Sequence, residues 1–233
     1  MSRQGPKVAI FEQFAAVARA LSHAHRLELL EQLAQGERSV EVLAERTGLS
    51  VGNASQHVQQ LRRAGLVAAR RAGRFVFCRL ADEGVLDLLA SLRRIAERNV
   101  ADVERVVRSY FRDRDALEPV SRAELMDRLR SGLVTVLDVR PEDEFALGHL
   151  PDALNIPLGE LERRLRELDP AKEVVAYCRG PYCVLSYEAV ALLRARGFDV
   201  RRLEDGLPEW RAAGLPVERA AFDERGDAGR AAR

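Results

Sequence analysis

The stretch EVVAYCRGPYCVLSYEAVALLRARGF, residues 173–198, holds the most information about this chain. An apolar run ends at Cys178, a short loop with Gly180 and Pro181 follows, and a helical pattern starts near Leu185 or Ser186. A thiol placed there faces backbone N–H groups at a helix N-terminus, with Arg179 beside it. Both features favour a thiolate, the form that acts as a nucleophile. A buried structural cysteine at a strand end is the plain alternative, but it needs no such loop.

Working outward, residues 133–139, 173–178 and 199–203 read as short apolar strands. Helical patterns at 122–130, 158–168 and 185–197 lie between them, an alternation that implies a parallel sheet covered by helices. The first half reads differently. Apolar residues recur at helical spacing from Val8 to Leu33, and Ser39 can cap a next helix. Thr47-Gly48-Leu49-Ser50 forms a tight turn, and Ser50 caps a helix over 51–63 that Ala64-Gly65 closes. Residues 66–80, broken at Ala72-Gly73, read as a hairpin. A long helix with Val85, Leu88, Leu89, Leu92, Ile95, Val103 and Val106 on one stripe then runs to about 111.

Two helices around a glycine turn, followed by a basic hairpin, make a winged helix-turn-helix. Seven arginines (Arg46, Arg62, Arg63, Arg70, Arg71, Arg74, Arg79) and no acid lie between residues 46 and 81, inside a chain of net charge +1. Such a block is the footprint of a polyphosphate partner, or else a solvated arginine-rich face. Ser50, Gly52, Asn53, Ser55 and Gln56 begin the second helix with small and amide side chains able to read base edges in a major groove. Arg70, Arg71 and Arg74 sit where a wing would reach phosphates or the minor groove.

At 233 residues, 47% hydrophobic and 31% charged, the chain fits two globular domains. It has no apolar run long enough to cross a bilayer and no signal-peptide stretch at its start, so no membrane partner and a cytoplasmic location are expected. Three cysteines (Cys78, Cys178, Cys183) are too few for a disulfide framework. Cys78 reads as a small buried hydrophobe.

The first half resembles the ArsR-type repressors through ALSHAHRLELLEQL (20–33), LAERTGLSVGNASQHVQQLRRAGLV (43–67) and RRAGRFVFCRL (70–80). The resemblance implies a homodimer packed through the first and last helices, bound to a double-stranded operator. The family's common metal cysteines are missing: the corresponding stretch is ERSVEVL (37–43), with Ser39 and Glu41, and no histidine falls between His57 and His149. No metal site is therefore expected. His23 and His25, two apart, share no helix face and read as cap or surface residues. His57 reads as a packing or phosphate-contact residue.

The second half resembles the single-domain rhodaneses. LDVRPEDEFALGHLPDALNIP (137–157) carries Asp138, Arg140, Glu144, Gly148, His149, Asn155 and Pro157 of one signature, and LEDGLPEWRAAGLPV (203–217) carries Gly206 and Trp210 of another. The resemblance makes Cys178 the persulfide carrier and Asp138 and Arg140 scaffold; Arg179 and Cys183, read from the loop itself, are the other catalytic candidates. The loop departs from the common pattern: Cys183 stands where an arginine would clamp an anionic donor, and Pro181 replaces a glycine. Arg179 is a possible substitute cation. Cys183 is either a resolving thiol or a small residue packed at the helix start.

The expected architecture is thus multidomain. A mainly α winged helix-turn-helix domain (1–112) and a linker (113–120) precede an α/β rhodanese-like domain with a parallel sheet (121–219) and a disordered tail (220–233). The expected function is a DNA-binding regulator, a repressor, whose second half senses or transfers sulfane sulfur from a persulfide, polysulfide or thiosulfate donor. No cofactor is expected. The rivals are a sulfurtransferase enzyme with an accessory DNA-binding domain, and thiol-based handling of an oxyanion.

Overall fold

The computed structural model describes residues 5–107, 109 and 119–219. The chain forms two compact units, Met1–Leu89 and Ala90–Arg233. The expected boundary at 112/113, most of the linker and the tail 220–233 lie outside the described residues.

The first unit begins with α1 (Pro6–Leu21) and α2 (Ala24–Ala34), where the sequence pattern ran on without a break. The interruption is His23, whose extended backbone caps α2. A short strand β1 (Arg38–Ser39) leads into α3 (Val40–Thr47). The Ser39 hydroxyl accepts from the Val42 N–H at 3.4 Å, and Gly48, at φ 65°, ends α3 in the left-handed region. Helix α4 (Val51–Arg63) starts the same way, with Asn53 N–H donating to the Ser50 hydroxyl at 3.3 Å.

Strands β2 (Val67–Ala72) and β3 (Phe75–Leu80) form the hairpin, in a sheet of order β1-β3-β2. Its two-residue loop places Gly73 at φ 60°, which a glycine adopts without strain. One core joins Leu29, Leu30, Leu33, Leu43, Val58, Leu61 and Cys78. Val85 and Leu86 of α5 (Gly84–Asn99) belong to the same core, and the division between the units falls inside this helix.

The long helix expected from 85 to about 111 is shorter. Val100 takes an extended backbone (φ −113°, ψ 103°), and α6 (Ala101–Val106) restarts after it. Asn and Val, both poor helix formers, meet at this junction.

The second unit carries a parallel sheet of order β5-β4-β6-β7, from β4 (Val134–Asp138), β5 (Leu154–Asn155), β6 (Glu173–Tyr177) and β7 (Val200–Arg202). Helices α7 (Arg122–Arg130), α8 (Glu142–Leu147), α9 (Leu158–Leu161), α10 (Val184–Ala195) and α11 (Leu207–Ala212) cover it. Alternation along β6 splits the core in two. Val174, Ala176 and Cys178 join one cluster, while Val175 and Tyr177 join the other with Trp210. Val120, at the end of the expected linker, is fully buried and bridges Leu203 in parallel.

Candidate functional site

In the second unit Cys178 lies immediately past the end of β6, and Cys183 is the N-cap residue of α10. The two are joined as a disulfide, with Cα atoms 6.1 Å apart. Both are buried, at 1% and 8% exposure. Sequence left the role of Cys183 open between a resolving thiol and a packing residue; its sulfur reaches Cys178.

The loop between them is held from several sides. Cys183 N–H donates to Gly180 O at 3.1 Å, and the Tyr187 hydroxyl donates to Pro181 O at 3.3 Å. The start of α11 presses on the loop from below. A Cβ on Gly206 would stand 2.4 Å from both Arg179 C and Gly180 N, so only glycine permits this approach. Gly206 N–H donates to Glu209 Oε2 at 3.1 Å.

Arg179 turns its guanidinium onto Glu144 of α8, with Nε 2.9 Å from Oε2 and Nη2 2.7 Å from Oε1. The Glu144 side chain is wholly buried. Under the loop, Arg140 forks onto Asp138, also wholly buried, at 3.0, 3.1 and 2.6 Å. The Tyr177 hydroxyl donates to Asp138 Oδ2 at 2.5 Å and accepts from Leu150 N–H at 3.1 Å. Burial, then the Asp138 charge, pushes the Tyr177 phenol well up, so it stays a donor. This network locks the residue before Cys178 and gives Asp138 and Arg140 a scaffold role. His149 stacks on Phe145 with centroids 3.6 Å apart, a packing role.

The sequence offered no sign of the next contacts, also within the second unit. The Tyr182 hydroxyl donates to the Glu97 carboxylate of α5. Arg93, one turn earlier on α5, pairs with Glu209 at 2.6 Å and lies 3.9 Å from Asp205.

In the first unit, α4 turns Ala54, Val58 and Leu61 inward. Gly52, Asn53 and Gln56 are exposed, Ser55 is half-buried, and Ser50 serves as the cap. Of the wing arginines, Arg71 and Arg74 are exposed, with Arg74 over the Phe75 ring at 4.8 Å. Arg70 lies over Phe77 at 4.8 Å, but its Nε also donates to both Glu37 carboxylate oxygens at 2.9 and 3.0 Å. Cys78 is fully buried, and burial pushes its thiol up to about 11.

His23 is the exposed N-cap of α2, within the cap or surface reading of the sequence; the gathering of the histidines is what that reading did not show. His23 caps α2 in extended backbone, so helix-face spacing does not govern it, and three imidazoles gather across the α2–α4 contact. Ring centroids stand 4.6 Å apart for His23–His57, 5.4 Å for His23–His25 and 6.0 Å for His25–His57. Burial, then His23, Arg26 and His25, lowers the His57 pKa below the usual imidazole value. Among the described residues no three His, Cys, Asp or Glu side chains are disposed to hold a metal, and no helix is long and apolar enough to cross a membrane.

Fold and site together define a winged helix-turn-helix unit joined to a rhodanese-like unit with a two-cysteine loop. The chain matches the family described as a helix-turn-helix domain over residues 21–70 and the rhodanese-like domain over residues 121–213. It is 44% identical over 221 residues to the HTH-type transcriptional regulator Rv0324 of Mycobacterium tuberculosis, covering 95% of this chain and 97% of that one. The chain belongs to the family of this HTH-type transcriptional regulator, and its second half is a rhodanese-like domain.

A sulfurtransferase of Allochromatium vinosum is 36% identical over 85 residues, 36% of this chain and 78% of that one. A solved homodimeric winged helix-turn-helix DNA-binding domain from Mycobacterium bovis (fragment 1–100 of Mb0332) is 40% identical, with a TM-score of 0.39. It covers 43% of this chain and 94% of that one.

Proposed function

We propose that this regulator is a cytoplasmic, homodimeric repressor that responds to sulfane sulfur through a persulfide on Cys178, resolved by Cys183. The observation that carries the reading is the Cys178–Cys183 disulfide between a strand end and the N-terminus of a twelve-residue helix. In the reduced protein, the Cys178 thiolate attacks the outer sulfur of a persulfide or polysulfide donor. One S–S bond forms on Cys178, the donor's S–S bond breaks, and the donor leaves as a thiolate. Cys183 then attacks Cys178 Sγ, forming the disulfide and expelling hydrosulfide, with its own proton leaving on that sulfur.

Ser50, Gly52, Asn53, Ser55 and Gln56 would meet bases and backbone in a major groove, and Arg70, Arg71 and Arg74 phosphates. A homodimer would cover Ile10, Phe11 and Phe14 of α1 with Leu92 and Ile95 of α5, all exposed in the single chain. The experiment is DNA binding by the purified full-length protein before and after polysulfide. A change in affinity in wild type and none in Cys178→Ser supports the reading; a Cys178→Ser protein that still responds overturns it.

The identity to a sulfurtransferase favours a second reading, in which the rhodanese-like half turns over as an enzyme and Arg179 and Cys183 serve catalysis. Repeated sulfur transfer to an acceptor thiol, with DNA binding unmoved, selects that one.

A further inference from the structure

Six residues, Cys178 to Cys183, form a ring closed by the disulfide; one flank meets helix α5 directly and the other lies beside Glu209 of α11, which pairs with α5. On one flank the Tyr182 hydroxyl, inside the ring, donates to Glu97. On the other flank a Cβ on Gly180 would stand 3.8 Å from both Glu209 carboxylate oxygens. Glu209 accepts from the Gly206 N–H and pairs with Arg93, 2.6 Å away. Arg93 and Glu97 lie one helical turn apart, with Arg93 Nε 3.6 Å from Glu97 Oε1. The circuit therefore runs from Cys178 through Gly180, Glu209, Arg93, Glu97 and Tyr182 back to Cys183.

These contacts are partly shielded from water: the side chains of Arg93, Glu209 and Asp205 are 22%, 17% and 15% exposed. Shielded charge pairs are screened less than surface ones and hold their geometry better. Tyr182 and Glu97 lie outside the sheet and outside both hydrophobic cores of the unit.

We infer that α5 is the output element of the thiol loop, clasped by Tyr182–Glu97 and Glu209–Arg93 when the Cys178–Cys183 bond is closed and released when it opens. This rests on the reading of Cys178 as the reactive thiol. Closing so short a ring restricts the backbone of Gly180, Pro181 and Tyr182, and so fixes where the Tyr182 hydroxyl points. With Cys183 free, the same residues regain their freedom and the tie to Glu97 loses its fixed end. Helix α5 is continuous from Gly84, and its Val85 and Leu86 are part of the first unit's core. A tie made or broken at Glu97 thus acts on an element that DNA binding also depends on.

The test uses full-length protein carrying Tyr182→Phe, Glu97→Gln or both. DNA affinity is read by fluorescence anisotropy, with and without polysulfide, and Cys178–Cys183 closure by intact mass. Both single variants are expected to close the bridge and to bind DNA basally as wild type does. The polysulfide-induced change in affinity should shrink by about tenfold, the worth of one hydrogen bond to a charged group. The double variant should add nothing, as expected for two ends of one contact. Hydrogen exchange across residues 90–99 should differ between open and closed states in wild type and not in Tyr182→Phe. Variants that respond fully while the bridge closes overturn the inference and leave the proposed function standing. A wild type whose DNA binding ignores bridge closure overturns both.

Discussion

The Arg179 guanidinium is bound fork-on to the buried Glu144 carboxylate, at 2.9 and 2.7 Å. This settles its side chain on α8 and so bears on which donor the loop can accept. The sequence suggested Arg179 as a stand-in for the arginine that Cys183 replaces. Its charge is instead matched by a carboxylate, so it adds little net positive field for a dianion. Turnover with thiosulfate is therefore expected to be at least about tenfold below that with a persulfide in kcat/KM, a gap of roughly 1.4 kcal/mol in transition-state binding. Cys183→Arg should narrow the gap by raising thiosulfate turnover. Equal use of both donors by the wild type would refute this.

The thiols should separate by reactivity. After reduction, Cys178 should be alkylated fastest near neutral pH, since it faces the start of α10, and Cys78 slowest. Burial both hides Cys78 and pushes its thiol up to about 11, leaving roughly one part in ten thousand as thiolate at pH 7. Polysulfide should add mass to Cys178 first. Cys183→Ser should trap that persulfide, because no second sulfur is in place to displace hydrosulfide. Peptide mass mapping decides the order; label on Cys78 before Cys178 would count against it.

What could be read from sequence and what could not divides by distance along the chain. Ser39, Gly48 and Ser50 were legible because caps and turns act within four residues. The Cys178 loop was legible because strand end, thiol and helix start are contiguous. The partners of Glu144, Glu97 and Glu37 were not legible, since they lie 35, 85 and 33 residues away. The histidine cluster was hidden for a related reason. The periodicity across Ser22 and His23 concealed a break, and only that break swings His23 toward α4.

Glu37 changes what to expect of the wing. Its pair with Arg70 is exposed, and such pairs contribute at most about 1 kcal/mol, so Arg70 can exchange Glu37 for a phosphate. Glu37→Gln is expected to tighten DNA binding several-fold at low salt by removing that competitor. Replacing Arg70, Arg71 and Arg74 together should weaken binding to all sequences and flatten the slope of log affinity against log salt by up to about 0.9 per lost phosphate contact. Asn53→Ala or Gln56→Ala should instead relax sequence preference by about 1–3 kcal/mol per lost base contact. Salt titrations on cognate and scrambled duplexes distinguish the two classes. A triple arginine variant that binds as well as wild type would refute the wing assignment.

The His23–His25–His57 cluster is expected to make the first unit sensitive to mild acid. Buried Arg26 donates to Ala20 O at 2.5 Å, Arg19 O at 2.9 Å and Gln60 Oε1 of α4 at 2.7 Å, so one cation is already fixed in the α2–α4 contact. Glu28, 3.1 Å from His25 Nδ1, is the carboxylate that faces the cluster. A proton on His57 would lose hydration and meet Arg26 and two further imidazoles, which is why its pKa is lowered in the folded chain. The unfolded chain, with an ordinary imidazole near about 6.5, then binds the proton more readily. Stability that is full above that pH must fall as pH drops through it, and level off below the folded pKa. Thermal unfolding of full-length protein between pH 8 and 5 should therefore show a loss from the helix-turn-helix unit beginning near neutral pH. His57→Gln should remove most of that loss, because no proton can bind there. Ring-proton NMR should show His57 titrating below the ordinary imidazole value in the wild type, and moving toward that value in the His23→Gln, His25→Gln double variant. A His57 that titrates as a free imidazole would show that the cluster exerts no such effect.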